Sequence, residues 1–242
     1  MIVIPMAGLS SRFKRAGFDL PKYMLEAQGY TLFEHSVLSF KRFFESEKFL
    51  FICLDVHNTV EFVKVKSEKL GIKKFEIVCL SHPTSGQAET VALGLEESEI
   101  TDDERLIIFN IDTFRPGYQL PLNFDTNKVD GYLETFIGSG ANWSNVVPES
   151  PGSSKVSLTA EKKELSEFCC TGLYMWKNFR LFSEAFNKMK CKSLNELDGN
   201  EYYIAPMYNY IIETGGDVRF SVVDRSDVVF CGVPEEYEQF RS

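Results

Sequence analysis

A short loop near the N-terminus combines small residues with positive charge. The stretch from Ala7 to Phe13 reads A-G-L-S-S-R-F, and Pro21-Lys22 follows shortly after it. Small residues let backbone N–H groups approach phosphate oxygens, and arginine and lysine side chains neutralise phosphate charge. The G-x-G-x-x-G pattern of dinucleotide-binding loops is absent, since the loop contains only Gly8. These residues predict a phosphate site built around Arg12 and Lys22.

Two further charged positions could carry chemistry. Asp112 ends an apolar run, and a carboxylate there is either a ligand for a hard cation such as Mg²⁺ or the cap of a turn. The run Glu161-Lys162-Lys163-Glu164 is either a solvated charged turn or a clamp for an anionic group. Residue type alone does not decide between the two interpretations at either position.

The elements that must position these residues alternate between strands and helices in the first half of the chain. Nearly continuous apolar runs predict buried strands. They cover Ile2 to Pro5, Phe49 to Val56, Glu76 to Leu80 and Leu106 to Asp112. Helical spacing of apolar residues predicts helices at 32–44 and 88–95. The pattern indicates an α/β fold, in which ligands bind beyond the carboxyl ends of the strands.

The second half is less regular. Strands are predicted at Val129 to Ile137, Phe168 to Trp176 and Val218 to Val223, and helices at Asn178 to Lys190 and Tyr202 to Glu213. We find no repeat and no linker, so we expect one domain spanning residues 1–242, with a first half at residues 1–112 and a second half at residues 113–242.

Composition narrows the classes of partner. The 242 residues include 35 acidic and 26 basic side chains, a net charge of -9 that argues against a nucleic acid partner. No apolar run is long enough to span a membrane, and no secretion signal is recognisable, so we expect a cytoplasmic protein. The six cysteines lack zinc-ligand spacing and are interpreted as reduced.

Several motifs in a fixed order then give a family resemblance. The chain reads G-x-x-S-R-F from Gly8 with Pro21-Lys22, then G-Q-A-E-T from Gly86, N-I-D ending at Asp112, E-K at Glu161, T-G-L-Y from Thr171 and G-V-P-E-E from Gly232. This order, which spans nearly the whole chain, resembles the nucleotidyltransferases that make nucleotide sugars. It also resembles bacterial cytidylyltransferases that activate phosphocholine or similar head groups for surface polysaccharides.

The resemblance implies a Rossmann-like three-layer mixed sheet and a Mg²⁺-dependent reaction between a nucleoside triphosphate and a phosphorylated small molecule, for capsule or surface-glycan biosynthesis. In this reaction the phosphorylated small molecule is the acceptor, and one of its phosphate oxygens attacks the α-phosphorus in line while pyrophosphate leaves. The resemblance also implies one catalytic domain, with residues 1–112 as its nucleotide-binding half and residues 113–242 as its acceptor-binding half. The implied residues are Ala7, Gly8, Ser11, Arg12, Gly86 and Gln87 for the nucleotide, Arg12, Lys22 and Asp112 for catalysis, and Glu161, Lys162, Gly172 and Tyr202 for the acceptor, with Asp112 as the metal ligand.

One departure from the family pattern concerns the metal. Many relatives have an acidic second ligand just before the G-x-P-E-E element, where this chain has Cys231, and a neutral thiol is a poor ligand for Mg²⁺. Either Asp224 or Asp227 replaces it, or the ion relies on Asp112, water and substrate phosphates. The sequence leaves open which nucleotide and which acceptor are used, and also the oligomeric state. Three alternative functions stay open as well: a CTP-specific reaction with a non-sugar phosphate, a related glycosyltransferase and a nucleotide-binding pseudoenzyme.

Overall fold

The computed structural model describes all residues from 1 to 242. Its strands, in chain order, are β1 (Ile2–Met6), β2 (Glu26–Ala27), β3 (Tyr30–Thr31), β4 (Lys48–Leu54), β5 (Lys74–Leu80), β6 (Leu106–Phe109), β7 (Thr113–Phe114), β8 (Gly131–Ile137), β9 (Ser144–Pro148), β10 (Val156–Glu161), β11 (Phe168–Trp176), β12 (Val218–Val223) and β13 (Val229–Phe230). Its α-helices are α1 (Ser11–Arg15), α2 (Leu32–Leu38), α3 (Thr59–Leu70), α4 (Gln87–Glu97), α5 (Phe179–Lys190), α6 (Tyr208–Ile212) and α7 (Pro234–Arg241). Parallel and antiparallel strand pairs both occur, and the predicted α/β class with a mixed sheet is confirmed.

The chain divides into two compact units, each discontinuous in sequence. The first unit contains residues 1–84, 109–119 and 226–242. In it β1, β4 and β5 run parallel, with Ile4 opposite Phe51 and Ile52 opposite Val78. Every residue of β1 is buried, because a parallel strand between neighbours is covered on both faces. An apolar cluster that includes Phe13 and Cys231 packs the first helix and the C-terminal segment together.

The second unit contains residues 85–108 and 120–225. There β9 lies between β10 and β11 in antiparallel pairing, and β8 pairs antiparallel with β11 and parallel with β12. Helix α5 begins after Asn178, whose side chain accepts a hydrogen bond from Leu181 N at 2.9 Å. The indole of Trp176 stacks on Tyr208 at 4.3 Å between ring centroids, which fastens α6 to β11.

Several element boundaries differ from the sequence-based expectations. The strand expected to reach Asp112 ends at Phe109, so Asp112 lies in the following loop. The helix expected from Tyr202 is a short 3-10 turn at Ala205–Met207 followed by α6, because the N–H of Tyr202 pairs instead with Ser85 O. Several elements escaped the prediction, among them α3, β9 and β10. All three of these are partly exposed and lack a clear apolar period.

None of the helices has the length and apolar character needed to span a membrane.

Candidate active site

The small-residue loop connects β1 to α1 in the first unit. Ala7 is buried at the end of β1, whereas Gly8, Ser11 and Arg12 are exposed. Ser10 takes a left-handed conformation with φ of 51°, and its hydroxyl accepts a hydrogen bond from Lys22 N at 3.2 Å. This contact joins the loop to the Pro21-Lys22 segment. The predicted triphosphate residues Gly8, Ser11, Arg12 and Lys22 therefore belong to one locally connected structure.

Lys22 and Asp112 form an ion pair although they lie 90 residues apart in sequence. Lys22 Nζ donates to Asp112 Oδ2 at 2.5 Å, and both side chains are about one-fifth exposed. Burial by itself would raise the pKa of Asp112, but the charge and hydrogen bond of Lys22, with a smaller contribution from Arg12, lower it overall. The carboxylate is therefore held ionised, in contact with a cation and accessible from solvent.

The C-terminal segment holds the backbone around Asp112 through hydrogen bonds. Strand β13 pairs antiparallel with β7, the strand that follows Asp112, and Cys231 N donates to Asp112 O at 2.8 Å. A Cβ at position 232 would lie 3.1 Å from Asp112 Oδ2, so glycine leaves the carboxylate uncrowded. Glu236 accepts hydrogen bonds from Gly232 N and Val233 N, which starts α7 directly after this contact.

The donor set around Asp112 suits a magnesium ion that takes most of its ligands from elsewhere. No group of three or more His, Cys, Asp or Glu side chains could hold a metal ion. Burial raises the pKa of Cys231 to about 12, with smaller contributions from Glu236 and Asp112, so the thiol is neutral and does not replace the missing acidic ligand. Magnesium is commonly held by one or two carboxylates together with water and substrate phosphates. Asp112 fits that role.

Glu161 lies at the end of β10 in the second unit and is only 5% exposed. Its Oε2 accepts a short hydrogen bond from Ser144 Oγ, and that hydroxyl lies 3.5 Å from Tyr174 Oη. Burial raises the pKa of Glu161 to about 7, against the lowering effects of Ser144 and Lys162. A buried carboxyl with this pKa can accept or donate a hydrogen bond near neutral pH.

The two neighbouring lysines have different partners. Lys162 takes a left-handed φ of 54°, its N–H donates to Trp143 O at 3.1 Å, and its Nζ contacts the hydroxyl of Tyr203. Lys163 is also exposed and pairs with Asp198. The left-handed residue lies directly after the end of β10, and the two lysine side chains contact different partners. Asp198 Oδ2 also accepts a hydrogen bond from Glu161 N at 3.4 Å.

Gly172 shapes the strand that carries Tyr174. It has a φ of 95°, and the pairing of β11 with β8 shifts register between Cys170 and Tyr174. A positive φ in mid-strand is typical of a β-bulge, which redirects the side chains that follow it. The bulge therefore precedes the tyrosine that contacts Ser144, and Gly172 acts through backbone geometry.

The loop that contains Gly86 and Gln87, two of the predicted nucleotide residues, is hydrogen-bonded to the segment around Tyr202. Tyr202 N donates to Ser85 O at 3.0 Å, and Ala88 N donates to Tyr202 O at 2.8 Å. Gly86 lies between these bonds with a φ of 148°, and Gln87 begins α4. The ring of Tyr202 packs edge-on against Phe186 at 5.7 Å between centroids, whereas its neighbour Tyr203 contacts Lys162. Acceptor binding by Tyr202 stays a prediction.

Three residues of the second cluster were not singled out from the sequence. They are Ser144, which begins β9, and Asp198 and Gly199, which share the 3-10 turn at Asp198–Asn200. None belongs to a motif with a chemical signature, and their proximity to Glu161 and Lys162 depends on the pairing of β9 with β10 and on the turn after α5. Tyr203 did carry a signal, because it belongs to the E-Y-Y run that ends there.

Comparison with solved structures finds whole-length similarity. A nucleoside-diphosphate-sugar pyrophosphorylase from Vibrio cholerae RC9 is 49% identical, with a TM-score of 0.94 over 99% of both chains. An inositol-1-phosphate CTP transferase from T. maritima is 14% identical, with a TM-score of 0.74 over 97% of this chain and 90% of that one. A UDP-glucose pyrophosphorylase in complex with UDP-glucose is also 14% identical, with a TM-score of 0.77 over 99% and 96%. The latter two share the fold. No protein-family model and no curated protein sequence matches the chain.

Proposed function

The chain belongs to the sugar-phosphate nucleotidyltransferase family, and from that membership we propose that it joins the nucleoside monophosphate of a nucleoside triphosphate to a phosphorylated acceptor, releasing pyrophosphate. The observation that carries the proposal is the ion pair of Lys22 with Asp112, which unites the small-residue loop with the N-x-D motif. It supplies a cation for phosphate oxygens beside a carboxylate suited to a hard metal ion.

The reaction requires no general base from the protein. An oxygen of the acceptor phosphate forms a bond to the α-phosphorus, and the bond to the bridging oxygen breaks, so its electron pair leaves with pyrophosphate. A phosphate monoester has a second pKa near ~6 and is mostly ionised at neutral pH. The chain therefore contributes positioning and charge neutralisation. We assign Gly8, Ser11 and Arg12 to the triphosphate and Lys22 to the α-phosphate and the leaving group.

Asp112 would hold Mg²⁺ together with substrate phosphates, and the ion would supply charge neutralisation on the triphosphate. Lys22 then exchanges part of its contact with Asp112 for phosphate oxygens. The base is assigned to Gly86 and Gln87. Gln87 offers both a donor and an acceptor and so leaves the choice of nucleotide open.

The acceptor is assigned to the second unit. Lys162 grips its phosphate, and Glu161 with Tyr174 contacts its polar groups. The similarity to the nucleoside-diphosphate-sugar pyrophosphorylase, at 49% identity, supports a sugar 1-phosphate as the acceptor. A non-sugar phosphate such as phosphocholine or a phosphorylated amino acid, with CTP, is the second candidate, because G-Q-A-E-T and Cys231 depart from the commoner sugar-type pattern. The resemblance to enzymes of surface polysaccharides supports a role in capsule or surface-glycan biosynthesis, and the triphosphate substrate supports a cytoplasmic location.

A substrate panel tests the proposal. Four nucleoside triphosphates are combined with sugar 1-phosphates, phosphocholine and phosphorylated amino acids, with Mg²⁺ present, and pyrophosphate release is measured. We expect turnover with one phosphorylated class and none with the matching unphosphorylated sugars, alcohols or amino acids, because these lack an ionised nucleophile. Turnover of an unphosphorylated acceptor, or no pyrophosphate from any pair, would refute the mechanism.

Two lysine variants serve as a matched pair in the same assay. Lys162→Ala should raise the acceptor KM about 10-fold or more, since it removes a charge-assisted contact to phosphate. Lys163→Ala should change it little, because Lys163 already pairs with Asp198. If Lys163→Ala raised the acceptor KM and Lys162→Ala did not, Lys163 rather than Lys162 would be the ligand of the acceptor phosphate.

A further inference from the structure

Lys162 has an uncharged partner in a cluster that is otherwise acidic. Its Nζ donates to Tyr203 Oη and lies 4.7 Å from the centroid of the Tyr203 ring. Glu201 and the ionised form of Glu161 supply negative charge to the same part of the second unit, where Asp198 pairs with Lys163. A lysine side chain has many rotamers and would be drawn to these carboxylates if nothing held it elsewhere.

We propose that Tyr203 is a positioning residue, which holds the Lys162 ammonium away from the neighbouring carboxylates and ready for the acceptor phosphate, and that this contact requires glycine at position 199. The inference rests on the proposed function of Lys162. A neutral hydroxyl accepts a hydrogen bond without cancelling the charge, so the ammonium keeps its attraction for a dianion. Burial raises the pKa of Tyr203, which keeps its hydroxyl neutral at physiological pH.

Gly199 leaves room for the contact. A Cβ there would lie 2.9 Å from Tyr203 Cε2, 3.2 Å from Lys162 Cδ and 3.4 Å from Lys162 Nζ. The first distance is too short for a methyl group and the second is tight, so alanine would require one of the two side chains to shift. Gly199 also has a φ of 69°, a conformation that glycine adopts without strain. The spatial and the conformational demands can be separated by comparison with another glycine.

The tyrosine is itself anchored through its backbone. Tyr203 N donates to Glu201 O at 3.1 Å, and the preceding residue, Tyr202, pairs on both sides with the 85–88 loop. Lys162 is fixed at its own backbone by the bond to Trp143 O. Both ends of the contact therefore start from fixed points, and the hydroxyl sets the position of the only flexible part, which is the lysine side chain.

The test measures the reactivity of Lys162 directly. Wild type and Tyr203→Phe are acetylated with a trace of acetic anhydride across a pH series, and each lysine is quantified by mass spectrometry. Tyr203→Phe keeps the ring and loses the hydroxyl, so the ammonium should pair with the neighbouring carboxylates, which favour its protonated and unreactive form. We therefore expect Lys162 to become severalfold less reactive, while Lys163 and Lys192 keep their wild-type values. Tyr210→Phe is the matched control, because Lys192 lies 5.3 Å from the Tyr210 ring outside this cluster. Unchanged or higher reactivity of Lys162 in Tyr203→Phe would overturn the proposal.

Kinetics provide the second readout, with the phosphorylated acceptor that the panel identifies. Tyr203→Phe should raise the acceptor KM about 10-fold with kcat and the triphosphate KM nearly unchanged, since the lost hydrogen bond involves a charged group. Gly199→Ala should have the same effect, whereas Gly117→Ala, with a φ of 70° and open space around its Cβ, should not. Equal effects of the two glycine variants would reduce the role of Gly199 to backbone conformation and contradict the proposal. If wild type released no pyrophosphate, the proposed function would fail while the acetylation test still decided the contact.

Discussion

Asp112 has one ionic partner and one candidate role. Its carboxylate is kept charged by Lys22, and its backbone carbonyl is occupied by Cys231 N. The oxygen that faces Lys22 also lies nearest to Gly232, on the side where the chain leaves space. A side chain held in this way can accept a cation in place of the lysine without rearrangement of the backbone.

The corresponding prediction compares two acidic residues of the same unit. Asp112→Asn should lower kcat by about 10³-fold with folding intact, because both the metal ligand and the counter-charge of Lys22 are lost. Asp227→Asn should change kcat by less than about threefold, since Asp227 accepts a hydrogen bond from Arg115 through its backbone carbonyl, which the substitution keeps. Pyrophosphate release at saturating substrates and Mg²⁺ titration measure both. Near-normal turnover of Asp112→Asn, or a comparable loss in Asp227→Asn, would contradict the assignment of Asp112 as the one protein ligand.

At the scale of elements, two of the predicted nucleotide residues are glycines for different structural reasons. Gly86 is crowded, because a Cβ there would lie 2.5 Å from both N and O of Tyr202, and backbone atoms do not yield. Gly8 has nothing within 4 Å of the position its Cβ would take. The first glycine is required by the fold, and the second is available for close approach by a ligand.

Alanine substitution should therefore separate stability from binding. Gly86→Ala should lower the free energy of unfolding by about 2–4 kcal/mol, because it combines backbone strain with a clash. Gly8→Ala should leave that free energy within about 0.5 kcal/mol and raise the triphosphate KM, because it obstructs only the open side of the loop. Urea unfolding and triphosphate titration check the pair. A stable Gly86→Ala variant would show that the backbone bonds around Tyr202 can rearrange freely.

Some secondary-structure elements could be predicted from the sequence and others could not. The strands β1, β4 and β11 were predictable because they are nearly continuous in buried apolar residues. Strand β10 was not, because Ser157 and Leu158 are exposed beside buried Thr159, which breaks the alternation of an amphipathic strand. In the sites, Lys22 and Asp112 were found through motifs, whereas Ser144 and Gly199 are brought in by tertiary structure and have no local signature. Family resemblance supplied the roles that spacing alone left open.

At the scale of the whole molecule, burial of Glu161 predicts a pH dependence of stability. Its pKa is raised to about 7 in the folded protein from an ordinary value of 4.5. Between these two values the folded state holds a proton that the unfolded state has released, so the contribution of Glu161 to stability falls as pH rises from about 4.5 to about 7. The full loss is at most about 3 kcal/mol.

Glu161→Gln should remove this part of the pH dependence. The amide carries no charge at any pH and still accepts the hydrogen bond from Ser144. The free energy of unfolding of the variant should therefore increase relative to that of wild type between pH 5 and pH 8. Urea unfolding at the two pH values measures the difference, with Glu164→Gln as an exposed control that should follow wild type. A constant difference between Glu161→Gln and wild type at both pH values would show that Glu161 is ionised in the folded protein throughout this range.

The path of the chain through the first unit has a consequence for biosynthesis. That unit takes its parts from residues 1–84, 109–119 and 226–242, and the backbone partner of Asp112 belongs to the last of these. A ribosome delivers residues in order, so the loop that carries Asp112 emerges more than 100 residues before Cys231 does. A nascent chain that has not yet extended past residue 231 therefore lacks the backbone hydrogen bond between Cys231 and the Asp112 loop. We expect the proposed triphosphate site to become complete only after residue 231 has been synthesised.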